Sequence, residues 1–295
     1  MSPPNGRLIT AVILTHNEEI NLPACLGSLR PWCSSIFVVD SGSSDQTVSV
    51  AQRCGAQAVH HPFETHAKQW NWAFKNLPIS GEWILALDAD QRVTTELREE
   101  ILGTLPVTPP QVAGYYLPRK QFFRGRWIRH GGYWPKYMLK LFRRGAGLSD
   151  EQERVDFRFY VKGPARRMKS PLLEDNRKEQ EISFWLAKHL RFIELQAQEE
   201  FLRRHGKLSW ALPLSAWGTP DQQTLWLKSW WYRLPPLLRP YPYFFYRYFV
   251  RLGFLDGPQG SLFHFLQGFW YPLMIGVRLK ELEALAKTSG REIPF

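Results

Sequence analysis

Cysteine is scarce in this 295-residue chain: Cys25, Cys33 and Cys54 are an odd number, with no pair at C-x-x-C spacing. That argues against a disulfide framework and against a cysteine zinc site. A reduced, cytosolic compartment is the expectation. Long hydrophobic runs are lacking too. No stretch of about 18 uninterrupted apolar residues occurs, which excludes a clean transmembrane helix. The first apolar run, Leu8 to Leu14, is short and gives way to Thr15-His16-Asn17-Glu18-Glu19, so it does not read as a signal peptide. Neither a Walker loop nor G-x-G-x-x-G is present, which removes support for P-loop and Rossmann dinucleotide binding. Acids are outnumbered, 27 against 38 Lys and Arg, for a formal charge of +11. A basic chain favours anionic partners such as nucleic acid, phosphorylated small molecules or acidic lipid headgroups.

What is present is a 44% hydrophobic composition, enough for a sizeable core. Leu8 to Leu14, Ile36 to Val39, Ala58 to His60 and Trp83 to Leu87 are apolar, β-branched runs. They read as strands buried on both faces, as in a parallel sheet. Helices are expected between them: one capped by Asn21 with Pro23 in its first turn, one from about Gln46 to Cys54 ending at Gly55, and one over His66 to Phe74. Another begins near Glu96. This rhythm implies an open, mostly parallel α/β sheet with right-handed crossovers. Ligands bind such sheets at the carboxyl ends of the strands. Three polar clusters fall there: Thr15 to Glu19, Asp40 to Asp45, and Asp88 to Asp90.

Each cluster carries a functional and a plain reading. Asp88 and Asp90, two residues apart after a buried strand, can share a divalent cation and the polar parts of a nucleotide diphosphate; a solvated turn also uses such acids. Asp40 can accept hydrogen bonds from a base or ribose, or cap the Ser41-Gly42-Ser43-Ser44 turn. Thr15 to Glu19 can line a nucleoside pocket, or Glu18 and Glu19 can simply complement a helix dipole.

Taken together, Ala11 to Glu19, Val38 to Thr47 and Gly81 to Asp90 resemble the family-2 glycosyltransferases of GT-A fold in order, spacing and strand context. Tyr133-Trp134-Pro135-Lys136, Leu139 to Arg144 and Phe254-Leu255-Asp256-Gly257 resemble the lipopolysaccharide-core and related cell-envelope branch. The resemblance implies a GT-A Rossmann-like, mostly parallel sheet flanked by helices. It implies metal-dependent, inverting transfer of one sugar from a nucleotide-sugar donor, UDP-linked by preference, to a glycan or lipid-linked acceptor. By the same resemblance Thr15 and Asp40 contact the nucleoside, with Glu18 or Glu19 nearby in the cofactor site. Asp88 faces ribose and diphosphate, Asp90 holds Mg²⁺ or Mn²⁺, and Lys68 meets phosphate or base. For Lys68 an exposed helix lysine is the plain alternative. The Gln-x-x-Arg-Trp motif of processive synthases is absent, which favours non-processive transfer.

Two positions depart from the pattern. Gln91 stands where the branch often has an acid. Aligned on Val155 and Gly163, Phe157 occupies the position of the branch's Glu base and Asp156 that of its His. Asp156 is therefore the expected base, with Glu153 and Glu151 as alternatives. Trp127, Trp134 and Lys136 are candidates for shaping an acceptor site.

The last third is aromatic and basic, and Asp256 is its sole acid between Gln222 and Lys280. Such a segment suits an anionic membrane surface. No nucleic-acid motif accompanies it. The expected organisation is a GT-A domain over 1–180, with a nucleotide-sugar half to about 110 and an acceptor half beyond, then a helical, membrane-associating region over 181–295. The expected place of work is the cytoplasmic face of the cell membrane, as a peripheral protein. The alternatives are a degenerate nucleotide-sugar- or membrane-binding domain and a nucleotidyltransferase.

Overall fold

The computed structural model describes residues 9–30, 32–155 and 158–289. The chain divides into two compact units. The first takes in 9–30, 32–125, 133–151 and 158–180; the second takes in 126–132, 152–155 and 181–289.

The first unit is α/β. Strands β1 (Ile9–Thr15), β2 (Ser35–Asp40), β3 (Gln57–His60) and β4 (Trp83–Asp88) pair in parallel in the order β3-β2-β1-β4. Helices α1 (Leu22–Leu29), α2 (Thr47–Arg53) and α3 (His66–Asn76) connect them. After β5 (Gln91–Val93), α4 (Thr95–Thr104) and β6 (Gly114–Phe123), a two-residue strand, β7 (Arg126–Trp127), falls in the second unit. The first unit resumes with β8 (Lys136–Arg143), which lies antiparallel between β4 and β6. β9 (Gly147–Ser149) and β10 (Phe159–Val161) form a separate antiparallel ribbon. β11 (Ala165–Arg167) and β12 (Leu172–Glu174) each pair in parallel with β6, and β12 closes on β5. The result is the mostly parallel, helix-flanked sheet of the GT-A class.

The continuous apolar runs follow from burial on both faces. Ile9, Ala11 and Ile13 of β1 join Ile36 and Val38 of β2 and Trp83, Leu85 and Leu87 of β4 in one core layer, covered by α1, α2 and α4. The intervening Val12, Phe37, Val39, Ile84 and Ala86 form the other layer with Trp70 and Ala73 of α3. Alternate residues of a strand point to opposite faces, so two layers need two apolar sets. Trp83 and Trp70, one in each layer, are fully buried. Truncating either to Ala costs about 3–5 kcal/mol.

One expected cap differs in detail. Asn21 precedes α1 but makes no side-chain cap bond. Its amide nitrogen instead donates to Glu18 and to Asn176, and its oxygen accepts from the Arg177 N–H. Long-range partners took the side chain from the helix end.

The second unit is helical and aromatic. Its main helices are α5 (Ile182–Arg204), α6 (Pro220–Trp231), α7 (Pro240–Phe245), α8 (Gly257–Phe265) and α9 (Tyr271–Ser289). Ile193, Ala197 and Phe201 of α5 pack on Tyr271, Ile275, Leu279 and Leu282 of α9. Glu200, fully buried, is held by Arg204 and by both terminal nitrogens of Arg239. Asp256 ties the 126–132 segment into this unit. Its carboxylate accepts from the Arg129 and His130 N–H groups, at 3.1 and 3.0 Å, and contacts His130 Nδ1 at 2.7 Å and His264 Nε2 at 3.0 Å. Gly131, at φ +64°, packs so tightly there that a Cβ would lie 2.2 Å from the His264 ring. Among the described residues no helix is long and apolar enough to cross a membrane.

Candidate functional site

Parallel pairing aligns the strand ends. Thr15 stands beside Asp40, Asp40 beside His60, and Leu14 beside Asp88. Thr15, Asp40 and Asp88 therefore share the carboxyl edge of the sheet, where open α/β sheets bind ligands. Asp40 organises the turn after β2. Its Oδ2 accepts from Gly42 N–H at 3.0 Å and Ser43 N–H at 2.8 Å. Its Oδ1 accepts from the Ser43 hydroxyl at 2.5 Å and the Thr15 hydroxyl at 3.1 Å. Gly42 supplies the positive φ this turn requires.

The loops after β1 and β2 are stitched residue by residue. Asn17 N–H donates to Ser43 Oγ, and Asn17 Oδ1 accepts from Ser44 N–H, each at 2.8 Å. Glu18 N–H donates to Thr47 Oγ1 at 2.7 Å. Glu19 N–H donates to Asp45, while Glu19 Oε2 accepts from Gln46 N–H. Asn17 holds a left-handed backbone at φ +54°, which Asn tolerates better than most residues. Burial pushes the Asp45 carboxyl up, but hydrogen bonds from Thr47 and Glu19 outweigh it and hold the group below its ordinary value. The two polar clusters thus form one braced rim.

Asp88 and Asp90, both half-buried, flank the buried Ala89 at the end of β4. Lys140 of β8 places its ammonium 2.8 Å from Asp88 Oδ2; the lysine side chain is 1% exposed and the aspartate 31%. Gln91, fully buried, accepts from Asp88 N–H and donates to Glu174 at 2.7 Å. Glu174 is paired in turn with Arg119. An acid at 91 would confront the Glu174 carboxylate, whereas an amide can accept on one side and donate on the other. The Asp90 carbonyl accepts from Asp175 N–H at 3.0 Å, and Asp175 pairs with Arg92.

Among the described residues no group of three or more His, Cys, Asp and Glu side chains is placed to hold a metal alone. Asp88 and Asp90 still suit Mg²⁺ or Mn²⁺. These hard cations take oxygen ligands and bind through one or two carboxylates together with substrate phosphates and water.

The remaining expected residues are placed differently. Glu18 accepts from Lys178 Nζ at 2.5 Å and from Asn21 at 2.8 Å. Lys68, on the first turn of α3, points to Glu64 at 2.5 Å, and that hydrogen bond raises its pKa. Its buried neighbour Gln69 ties α3 to the sheet edge, donating to Ser41 Oγ and the His61 carbonyl, each at 3.1 Å. Glu151 accepts from Asn71 at 2.9 Å in the first unit. Glu153 is buried and belongs to the second unit, as does Trp127. Asp156 and Phe157 lie outside the described residues. In the first unit Lys120 lies over the Trp134 ring at 5.8 Å, and Lys136 is exposed. Sequence reasoning misses Lys140, Gln69 and Lys178, and marks Gln91 only as a departure from the branch's pattern. Lysine within the apolar Met138-Leu139-Lys140-Leu141-Phe142 run was the available signal for the first.

Residues 10–160 match the profile of Glycosyl transferase family 2, just over half the chain. The lipopolysaccharide core biosynthesis glycosyltransferase LpsC of Rhizobium meliloti is 31% identical over 157 residues, covering 50% of this chain and 55% of LpsC. An uncharacterized glycosyltransferase of Rickettsia conorii is 34% identical over 93 residues, 32% of each chain. The chain thus spans about half the length of the first relative and about a third of the second. Glucosyl-3-phosphoglycerate synthase of Mycobacterium tuberculosis, solved with Mn²⁺, UDP and glucosyl-3-phosphoglycerate, is a loose structural likeness. It has a TM-score of 0.31 and 24% identity, covering 41% of this chain and 45% of that one.

Proposed function

Because the chain belongs to glycosyl transferase family 2, we propose that it moves one sugar from a UDP-sugar to a hydroxyl of a cell-envelope glycan or lipid-linked acceptor. The observation that carries the reading is the braced Thr15–Asp40 rim on the same sheet edge as Asp88 and Asp90. The match to LpsC supports an envelope acceptor.

In this reading Thr15, Asp40 and Glu18 line the nucleoside pocket, Asp88 meets ribose and diphosphate, and Lys68 meets phosphate or base. Mg²⁺ or Mn²⁺ held at Asp90 supplies charge neutralisation for the departing diphosphate. The acceptor oxygen forms a bond to the anomeric carbon as the bond to the diphosphate breaks, and that electron pair leaves with UDP. The hydroxyl proton passes to a carboxylate, Asp156 or, failing it, Glu153. A single displacement inverts the anomeric configuration. Lys140 holds Asp88 in place throughout. The work is done at the cytoplasmic face of a membrane, to which the basic, aromatic second unit binds as a peripheral element.

The test is UDP release from a panel of UDP-sugars by the purified chain, with and without envelope lipid extract. Acceptor-dependent release, abolished in Asp90→Ala, supports the reading. A second reading, donor binding without transfer, rests on Phe157 at the expected base position; it predicts UDP-sugar binding with no release under any acceptor.

A further inference from the structure

We infer that residues 234–265 insert into the interface of an anionic bilayer as a monotopic aromatic wedge. This deepens the membrane reading above and rests on it.

The first ground is exposure. Leu238, Tyr241, Phe245, Phe249, Val250 and Leu255 are exposed large apolar side chains within one short stretch. Helix α7 continues as a wider helical turn over Tyr246–Val250. Tyr241, Phe245 and Phe249 follow one another at four-residue spacing along it, which puts them on one face. Contiguous exposed apolar surface of this kind marks an interaction site.

The second ground is continuity. Tyr241 packs on Phe269 with ring centroids 5.0 Å apart, and Phe269 on Phe265 at 5.6 Å. Phe244 meets Phe265 at 6.3 Å and Tyr248 at 5.2 Å, and Tyr248 meets Phe254 at 6.1 Å. The rings form a connected sheet of aromatic surface, braced from within the second unit. Tyr and Trp favour the headgroup level of a bilayer.

Charge decides the occupant. Asp256 is the one acid between Gln222 and Lys280, and it is buried. Arg233 and Arg251 are exposed, and the Arg233 guanidinium lies 5.0 Å over the exposed Trp230 ring. An aromatic segment with exposed cations and no exposed acid of its own complements anionic headgroups. A second copy would bring basic rim to basic rim with no acid to pair.

The experiment uses the full chain and vesicles of phosphatidylcholine with and without phosphatidylglycerol, sedimented at low and high salt. The inference predicts binding to the anionic vesicles, with a fraction that high salt does not release. Phe245→Ser/Phe249→Ser is expected to lose that salt-resistant fraction about tenfold while keeping low-salt binding, because inserted rings are not screened as charges are. Arg233→Gln and Arg251→Gln are expected to weaken low-salt binding roughly fivefold each. An unchanged melting temperature in all variants confirms that the surface alone was altered. Binding that salt releases fully and the Phe variant leaves intact overturns insertion but spares the membrane reading. No binding to any vesicle overturns both. A concentration-dependent dimer, lost in the Phe variant and unaccompanied by vesicle binding, assigns the face to a second copy and overturns the inference.

Discussion

The Lys140 ammonium lies 2.8 Å from Asp88 Oδ2, with the lysine withdrawn from solvent and the aspartate partly open to it. A buried charge is tolerated only with a partner and further bonds. Asp88 is that partner, and it stands at the end of β4 where the proposed donor diphosphate lies. The pair therefore fixes one carboxylate oxygen inward and sets the orientation of the other.

Lys140→Met tests this coupling. The variant keeps the apolar stem and removes the charge. Breaking a buried pair costs about 3–5 kcal/mol, and the partial exposure of Asp88 puts the expectation at the low end of that range. UDP affinity is expected to fall about tenfold as Asp88 loses its anchor. Chemical denaturation and a UDP titration read the two effects separately. Wild-type affinity in a folded Lys140→Met protein would show that Asp88 is oriented without the lysine.

The braced rim makes a second prediction. Thr47, fully buried, accepts from Glu18 N–H and donates to Asp45. Thr47→Val preserves shape and removes both bonds. Leaving a buried donor unmet costs about 1–3 kcal/mol. The melting temperature is expected to drop by a few degrees, and protection of the Glu18 amide against hydrogen exchange to fall. Unchanged exchange at Glu18 would mean the two loops hold together without this contact.

These elements differ in how far the sequence disclosed them. The runs at Ile9 to Leu14 and Trp83 to Leu87 announced a sheet buried on both faces, because no half-exposed strand lacks polar alternation. Clusters at the strand ends announced a binding edge for the same topological reason. Lys140 was hidden because it lies in an apolar run and its partner is on the adjacent strand, 52 residues away. Asn21 had the look of a helix cap, and only folding brought Asn176 within reach, 155 residues on. Asp256 was visible as a motif residue, but its role in fastening Arg129 and His130 depends on contacts across 126 and 127 residues. Pattern and propensity read neighbours; these side chains answer to distant chain.

Asp256 also carries a pH prediction. Burial works to raise its pKa, but hydrogen bonds from His264, His130 and the backbone of 129–130 lower it to about 2. A carboxyl lowered on folding stabilises the protein above its unfolded value, near 3.8, and that stabilisation is lost as pH falls towards 2. It amounts to about 2 kcal/mol at neutral pH. Asp256→Asn is expected to lose that much at pH 7, and the gap to wild type is expected to narrow below about pH 4. Urea denaturation from pH 7 to pH 2.5 measures it. A gap that stays constant across this range would remove Asp256 from the acid response.

The proposed transfer rests on a nucleotide-diphosphate site at the carboxyl edge of the sheet, with Asp90 as its metal ligand. Calorimetric titration of UDP into the chain, with Mn²⁺, with Mg²⁺ and with neither, tests it most directly, alongside Asp90→Ala. UDP binding is expected to strengthen at least tenfold with one of the cations and to lose that gain in Asp90→Ala at an unchanged melting temperature. UDP binding that ignores both the cation and the substitution would contradict it.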